Sequence, residues 1–384
     1  DGSITQVNVF VTDSSGSTSG SSGNIVIQNA MLNDGLVAED YIETTTTAGY
    51  AGLLGDMPRL DYSGGATCPS LLLEPSRTNL IAYSNYVSGS GWTIQSGNTV
   101  TQNTTDVTSP RGLNDAVKIV STDAATGVFY GGLAETDDVT RTVYLRGASG
   151  GETVTLKDPN GFSTPTTKTL TTEWVRYEFK TTNDGNAYQG LFVDDISVGT
   201  IYLWECQFET GTYATSNIPT YGSAVTRAAD DAAILDTSSL LSQNTSNTIF
   251  IEAENFREQA GNSRFASFFS ASISNNDRLL IYSSHSGVNY TLNAQWKVSG
   301  QSDVQISVVS IPYGSAVKFA VVLDDTTMRF YVDGFLIGTE TIVNSNNFYY
   351  FDPTSVANDL GFRINSQVFW PSALTDSECI ALTS

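Results

Sequence analysis

Short runs in which apolar and polar residues take turns recur along most of this chain. In the run 174–180, Val175, Tyr177 and Phe179 alternate with Trp174, Arg176 and Glu178, the period of two expected of a strand with one buried face. Runs of this kind predict strands over Ala116–Ser121, Arg141–Leu145, Thr153–Lys157, Trp174–Lys180, Gly190–Val193 and Thr200–Phe208. After residue 245 they resume at Thr248–Glu254, Arg264–Ser270, Arg278–Ser283, Val304–Val309, Val317–Leu323 and Met328–Val332. Turn signals separate them: Asn160-Gly161, Asp184-Gly185 and, within MRFYVDGFLIGT, Asp333-Gly334, the strongest local hairpin. A helical start is written only near the end, where Thr375 and Glu378 form a capping box and leave Cys379 and Leu382 to pack.

Regular short strands without long helical patterns predict an all-β protein, with two β-sandwich (jelly-roll) domains in tandem behind an N-terminal arm. Residues 1–57 form the arm, with strand-like pieces at Val7–Thr12 and Asn24–Ala30 around a Ser/Gly-rich loop at 14–23. Residues 58–215 form the first sandwich, 216–245 a connector and 246–384 the second sandwich. Within the first, PRLDYSGGATCPSLLLEPSRTNL at 58–80 reads as a clasp. It is two short extended pieces folded back at Gly64-Gly65, with Arg59 beside Asp61, Arg77 beside Glu74, and the run Leu71-Leu72-Leu73 between two prolines. An ordinary hairpin with solvated charges is the equal alternative.

Composition narrows the partners. The chain has 384 residues, 18 basic against 40 acidic, for a net charge of -22, which argues against nucleic acid and anionic membranes. No apolar run approaches a membrane-spanning length, so no membrane insertion is expected, and the first residues lack the basic start and apolar centre of an export signal. The three cysteines, Cys68, Cys206 and Cys379, are too far apart for a disulfide framework or a zinc site. Stability has to come from apolar cores and oligomerisation.

Two motifs carry a resemblance. The segment 58–80, followed by Trp92, and the segment IYLWECQFETGTYATSNIPTYGSAVTRAADD at 201–231 resemble a module of bacteriophage virion proteins, tail-fibre or surface appendages. The order of strands between them resembles jelly-roll carbohydrate-binding modules. The Asp333-Gly334 hairpin and the ending VFWPSALTDSECIAL resemble laminin-G-like and concanavalin-like lectin sandwiches. The resemblance implies a virion-surface, extracellular protein whose partners are other virion proteins and a host-surface glycan, in a homo-oligomer such as the trimers common among such fibres.

Sugars are held by aromatic rings on their apolar faces and by polar side chains on their hydroxyls. The candidates for carbohydrate binding are therefore Trp92, Tyr130 and Tyr188 in the first sandwich and Tyr282, Asn289, Tyr290 and Trp296 in the second, with core packing the competing reading for each. Trp174 and Trp204 lie in strongly patterned strands and read as core. Catalytic residues are not expected: the single histidine, His285, sits in a polar stretch, and Glu252, Glu254 and Glu258 lack the middle Asp of laminarinase-like sites. No cofactor is expected, although the Asp pairs at 137–138, 194–195 and 324–325 could supply oxygens to a structural calcium ion. A polysaccharide-degrading enzyme and a purely structural spacer remain the alternatives to adhesion.

Overall fold

The computed structural model describes Met31 and residues 59–62, 68–135, 137–157, 165–181, 189–232, 241, 246–255, 262–269, 278–343, 350–351 and 361–384. The chain divides into two compact units, 1–55 and 56–384. The expected arm strands, the turns at Gly64-Gly65, Asn160-Gly161 and Asp184-Gly185, Tyr188 and Glu258 lie outside the described residues.

The second unit opens with β1 (Leu60–Asp61), β2 (Ser70–Leu73) and β3 (Arg77–Asn79). The first sandwich follows: β4 (Trp92–Ile94), β5 (Asn98–Thr101), β6 (Val117–Ser121), β7 (Val128–Leu133), β8 (Val139–Gly147), β9 (Thr153–Lys157), β10 (Thr166–Thr169), β11 (Val175–Thr181), β12 (Gln189–Asp194) and β13 (Gly199–Thr210). After β14 (Val225–Arg227) come β15 (Asn247–Asn255), β16 (Asn262–Phe269), β17 (Arg278–Ser286), β18 (Asn289–Lys297) and β19 (Val304–Pro312). The chain closes with β20 (Ala316–Asp324), β21 (Thr327–Val332), β22 (Phe335–Thr341), β23 (Tyr350–Phe351), β24 (Phe362–Trp370) and one helix, α1 (Asp376–Thr383). The protein is all-β, as its alternating pattern requires.

The first sandwich stacks sheet β10-β9-β12-β7-β4 on sheet β11-β8-β13-β6-β5. Its interior is filled by Val117, Ile119, Val143, Leu145, Val154, Leu156, Leu191, Val193, Ile201 and Leu203, with Tyr177 and Phe179 packed against it. These are the alternating apolar positions of their strands, which is why β6 shows a strict buried and half-buried alternation. The second sandwich stacks sheet β1-β2-β24-β15-β20-β21-β22 on sheet β19-β18-β17-β16-β23. The Asp333-Gly334 turn joins β21 to β22 with φ of 45° and 82°, the paired positive values that this two-residue hairpin demands. At the end, Thr375 caps α1 through the expected box with Glu378, and Cys379 is buried beneath the helix against Phe250, Ala320, Val322 and Tyr331.

The clasp differs from its expected form in partners and in reach. Strand β2, placed by the sequence pattern with the first sandwich, pairs instead with β24 of the second: Leu71 opposes Ile364 and Leu73 opposes Phe362. Leu73 belongs to the second core, and Leu71 packs against it. Arg59 does not pair with Asp61. It binds Glu74 at 3.0 Å and Asp230 at 2.9 Å, while Asp61 pairs with Arg363. Arg77 does not pair with Glu74 but lies 3.8 Å from buried Glu209 and 5.3 Å from the centre of the Tyr213 ring. Glu74, only 2% exposed, accepts instead from Arg59 and from the Ser216 amide at 2.7 Å, and forms an ion pair with Arg227 at 3.1 Å. A buried carboxylate is tolerated because two guanidinium groups and an amide replace the water it gave up.

Thr220 and residues 225–227 of the expected connector are part of the same lock. β14 pairs with β3, Arg227 opposite Arg77, and Thr220 exchanges hydrogen bonds with Ser84. Asn79 donates to the carbonyls of Cys206 and Ile218. The two sequence motifs at 58–80 and 201–231 thus interlock in space. Gly211, at φ 137°, serves this junction: a Cβ there would stand 2.7 Å from the Arg77 guanidinium.

Candidate functional site

Of the six described residues among the seven expected to hold sugar, the structure keeps one, Tyr282, on an open, grooved surface. Tyr282 lies on the outer face of the β19-β18-β17-β16-β23 sheet, because in β17 the neighbouring Leu279 and Ile281 turn into the core. Pairing sets Arg264, Tyr282, Asn293 and Ser307 abreast across four strands, and Leu280, Gln295 and Gln305 abreast in the next row. Between the rows lies a groove of about 160 Å³ lined by Arg264, Arg278, Leu280, Tyr282 and Gln295.

Hydrogen bonds hold this face in one arrangement. The Tyr282 hydroxyl donates to Gln305 Oε1 at 3.1 Å, and Arg278 donates to Gln295 Oε1 at 3.2 Å. Gln305 and Ser307 both donate to Asn293 Oδ1, at 3.0 and 2.7 Å, and Asn293 donates in turn to Ser284 Oγ at 3.1 Å. Lys297 closes the end of the row on Asp303 at 3.2 Å. Burial pushes the Tyr282 phenol above its ordinary value, so at neutral pH it is an uncharged donor with a flat ring. A ring, two guanidinium groups and the carboxamides of Gln295 and Gln305, held from beneath by buried Asn293, can stack a pyranose and reach its hydroxyls.

The other candidates are placed differently. Tyr290 and Trp296, at 0% and 2% exposure, are core residues, and burial leaves neither a face for a sugar ring. They share one phase of β18 with Leu292 and Ala294, alternating with Thr291, Asn293 and Gln295, and that period of two is the signal for a buried face. Trp296 donates to the Val343 carbonyl at 3.1 Å. Asn289 starts β18 opposite Ser286, half-exposed and outside the groove. Tyr130 is buried in the first core, and Trp92 meets it edge to face at 5.5 Å while donating to the Tyr83 carbonyl at 2.8 Å, so this pair is packing. Trp204 is buried as expected, but Trp174 is half-exposed and donates to the Thr108 carbonyl. Residues that the sequence reading passed over are Arg264, Arg278, Asn293, Gln295 and Gln305. Each occupies the polar phase of an alternating strand, indistinguishable in sequence from ordinary solvated positions.

The chemistry-bearing groups elsewhere are tied up. His285 Nδ1 lies 2.9 Å from the Tyr313 hydroxyl, and Glu254 binds Arg363 at 3.0 Å. Asp194 binds Lys157 at 2.7 Å, and Asp195 and Asp325 occupy positive-φ turn positions. Among the described residues no three His, Cys, Asp or Glu side chains converge as metal ligands, and no helix is long and apolar enough to cross a membrane.

Comparison with known proteins places the second sandwich. Residues 227–378 match the model of the concanavalin A-like lectin/glucanases superfamily. The matched stretch excludes β1 and β2, which complete its sheet. No curated protein matches the chain in sequence. Among solved structures, the chain is similar to the CBM40 of Ruminococcus gnavus IT-sialidase bound to alpha2,3 sialyllactose, at 16% identity and a TM-score of 0.32, covering 40% of this chain and 97% of that one. It is also similar to a SAP-like pentraxin from Limulus polyphemus, at 18% identity and a TM-score of 0.30, covering 38% and 74%. Likenesses this distant carry no ligand and no mechanism over to this chain.

Proposed function

We propose that this chain is a non-catalytic glycan-binding protein of a bacteriophage particle surface, a fibre, an appendage or a capsid decoration, that grips host or environmental glycans. The observation that carries the binding role is the grooved outer face around Tyr282, on a sandwich whose sequence matches a lectin and glucanase superfamily. The particle assignment is supported by the resemblance of the 58–80 and 201–231 motifs to virion proteins. Other virion proteins and further copies of the chain are its expected partners. A shallow groove gives weak single contacts, and copies displayed together on one particle raise the avidity.

A glycan array probed with the purified chain tests the role. Binding in the millimolar to micromolar range is expected, lost at least tenfold in Tyr282→Ala and in Arg278→Ala with unchanged melting temperature. Release of reducing ends or unsaturated sugars from host polysaccharide would overturn the non-catalytic reading. Absence of the chain from purified particles would overturn the virion assignment and leave the binding face standing.

A further inference from the structure

A second cavity lies away from that face. A cleft of about 460 Å³ opens between the sandwiches, with Tyr144, Arg176 and Tyr213 on the first and Asp61, Tyr313 and Arg363 on the second. Most of the charges around it are already matched. Arg363 binds Asp61 and Glu254, Glu74 binds Arg59 and Arg227, and Lys180 lies 3.4 Å from Glu178.

Arg176 is the exception. Its Nη2 donates to Thr142 Oγ1 at 3.0 Å and to the Thr215 carbonyl at 2.7 Å, and its guanidinium lies 5.8 Å from the centre of the Tyr144 ring. Its Nε is buried without a hydrogen-bond partner, and among the described residues no carboxylate lies within ion-pairing distance. In a chain with 40 acidic and 18 basic residues, a guanidinium held by two neutral oxygens and a ring, with no counter-charge, is a fixed positive centre. Its Thr142 and Thr215 contacts and the Tyr144 ring lock it in place, so little side-chain freedom is lost when an anion arrives.

We propose that this cleft is a second binding site, specific for a sugar that carries a single carboxylate, with Arg176 on the carboxylate and the half-exposed Tyr144 and Tyr313 against the sugar rings, Tyr213 being buried behind them. The volume lies in the range of small-ligand sites, and tyrosine faces with polar neighbours suit a polyhydroxylated ring better than an extended apolar chain. The net charge of -22 repels a long polyanion, so the carboxylate belongs to a terminal or branching residue of an otherwise neutral glycan. This site is separate from the Tyr282 face, and neither depends on the other.

Calorimetric titration of the whole chain with a disaccharide ending in a uronic acid, and with the same disaccharide after reduction of its carboxyl group to an alcohol, tests the proposal. The acid form is expected to bind about tenfold or more tighter, as a charge-assisted hydrogen bond implies. Arg176→Gln is expected to erase the difference and Arg176→Lys to keep part of it. Should Arg176→Gln fail to fold, Glu178→Trp at the exposed rim of the cleft is expected to block both sugars without disturbing the core. Equal binding of the two sugars overturns the proposal. So does a difference that survives in Arg176→Gln or Glu178→Trp, or competition by acetate or a peptide carboxylate as strong as that by the uronic acid itself.

Discussion

The two sandwiches share an architecture and are held together by different physics. In the first, charged and hydrogen-bonding groups reach deep inside: Arg141 is fully buried, donating to the Gly190 carbonyl and Thr181 Oγ1 at 2.6 Å each and lying 4.9 Å from the centre of the Phe208 ring. Asp115, Glu205 and Glu209 are buried with it. In the second, no buried Asp, Glu, Lys or Arg is found among the described residues of 246–384. Its centre is a cluster of rings, with Phe265 meeting Phe362 at 5.1 Å and Phe319 at 5.5 Å, and Phe319 meeting Phe330 at 6.5 Å. A core built of rings is sensitive to lost volume, while one threaded with polar groups is sensitive to protonation and geometry.

Three substitutions sharpen that contrast. The largest effect is expected from Phe319→Ala, which removes a fully buried ring in contact with two others and should cost about 3–5 kcal/mol. A shift of the denaturant midpoint, with amide exchange accelerated in β15 and β20 ahead of β8 and β13, is the expected observation. Uniform acceleration in both sandwiches would mean that they unfold as one and that the contrast has no energetic expression.

A smaller effect, and one with a pH signature, is expected at Glu205. This carboxyl sits at a positive φ of 47° in the irregular middle of β13, and burial raises it above the ordinary carboxylate range, with Oε2 left without a hydrogen bond. A carboxyl whose folded-state pKa exceeds its unfolded value contributes stability that is complete below the unfolded value. That contribution is lost as the pH rises through the folded value. Glu209, raised for the same reason, adds to the trend. Glu205→Gln should therefore melt at a higher temperature than the parent at pH 8 and close to it at pH 4. A variant that is less stable than the parent at pH 8 would show that the charged form is the one the fold prefers.

The smallest change is at the far end. Thr375→Ala removes the side chain that caps α1 and should cost about 1 kcal/mol. Helix and second sheet share the small cluster around Cys379, so increased reactivity of that buried thiol toward a maleimide should accompany the loss. An unchanged melting temperature would show that packing alone holds the helix.

Much of the fold was legible because period two is a strong signal wherever one face of a strand is wet. It failed in instructive places. β7 carries Gly131-Gly132, which weakens its pattern, and β18 is missing from the predicted strands although its alternation is complete, its Tyr290 and Trp296 turning out to be core, the competing reading for both. The clasp residues were legible as a set, since scarce arginines beside acids stand out in so acidic a chain. Their partners were not, because Asp230, Arg227, Glu209 and Arg363 are more than a hundred residues away and nothing local points to them. The same holds for the Tyr282 face, whose ring was found and whose polar neighbours come together only through sheet register.

The pairing of β2 with β24 also bears on how the polypeptide is made. Leu71 and Ile364 are adjacent in the finished sheet, yet a ribosome adding about 5–20 residues per second emits them many seconds apart. For the whole of that interval the leucine run lacks its β24 neighbour, while every strand of the first sandwich emerges within it, well before β24. Synthesis therefore favours an order in which the inserted body closes early and its host is completed late, leaving a sticky strand exposed as a target for chaperones in between.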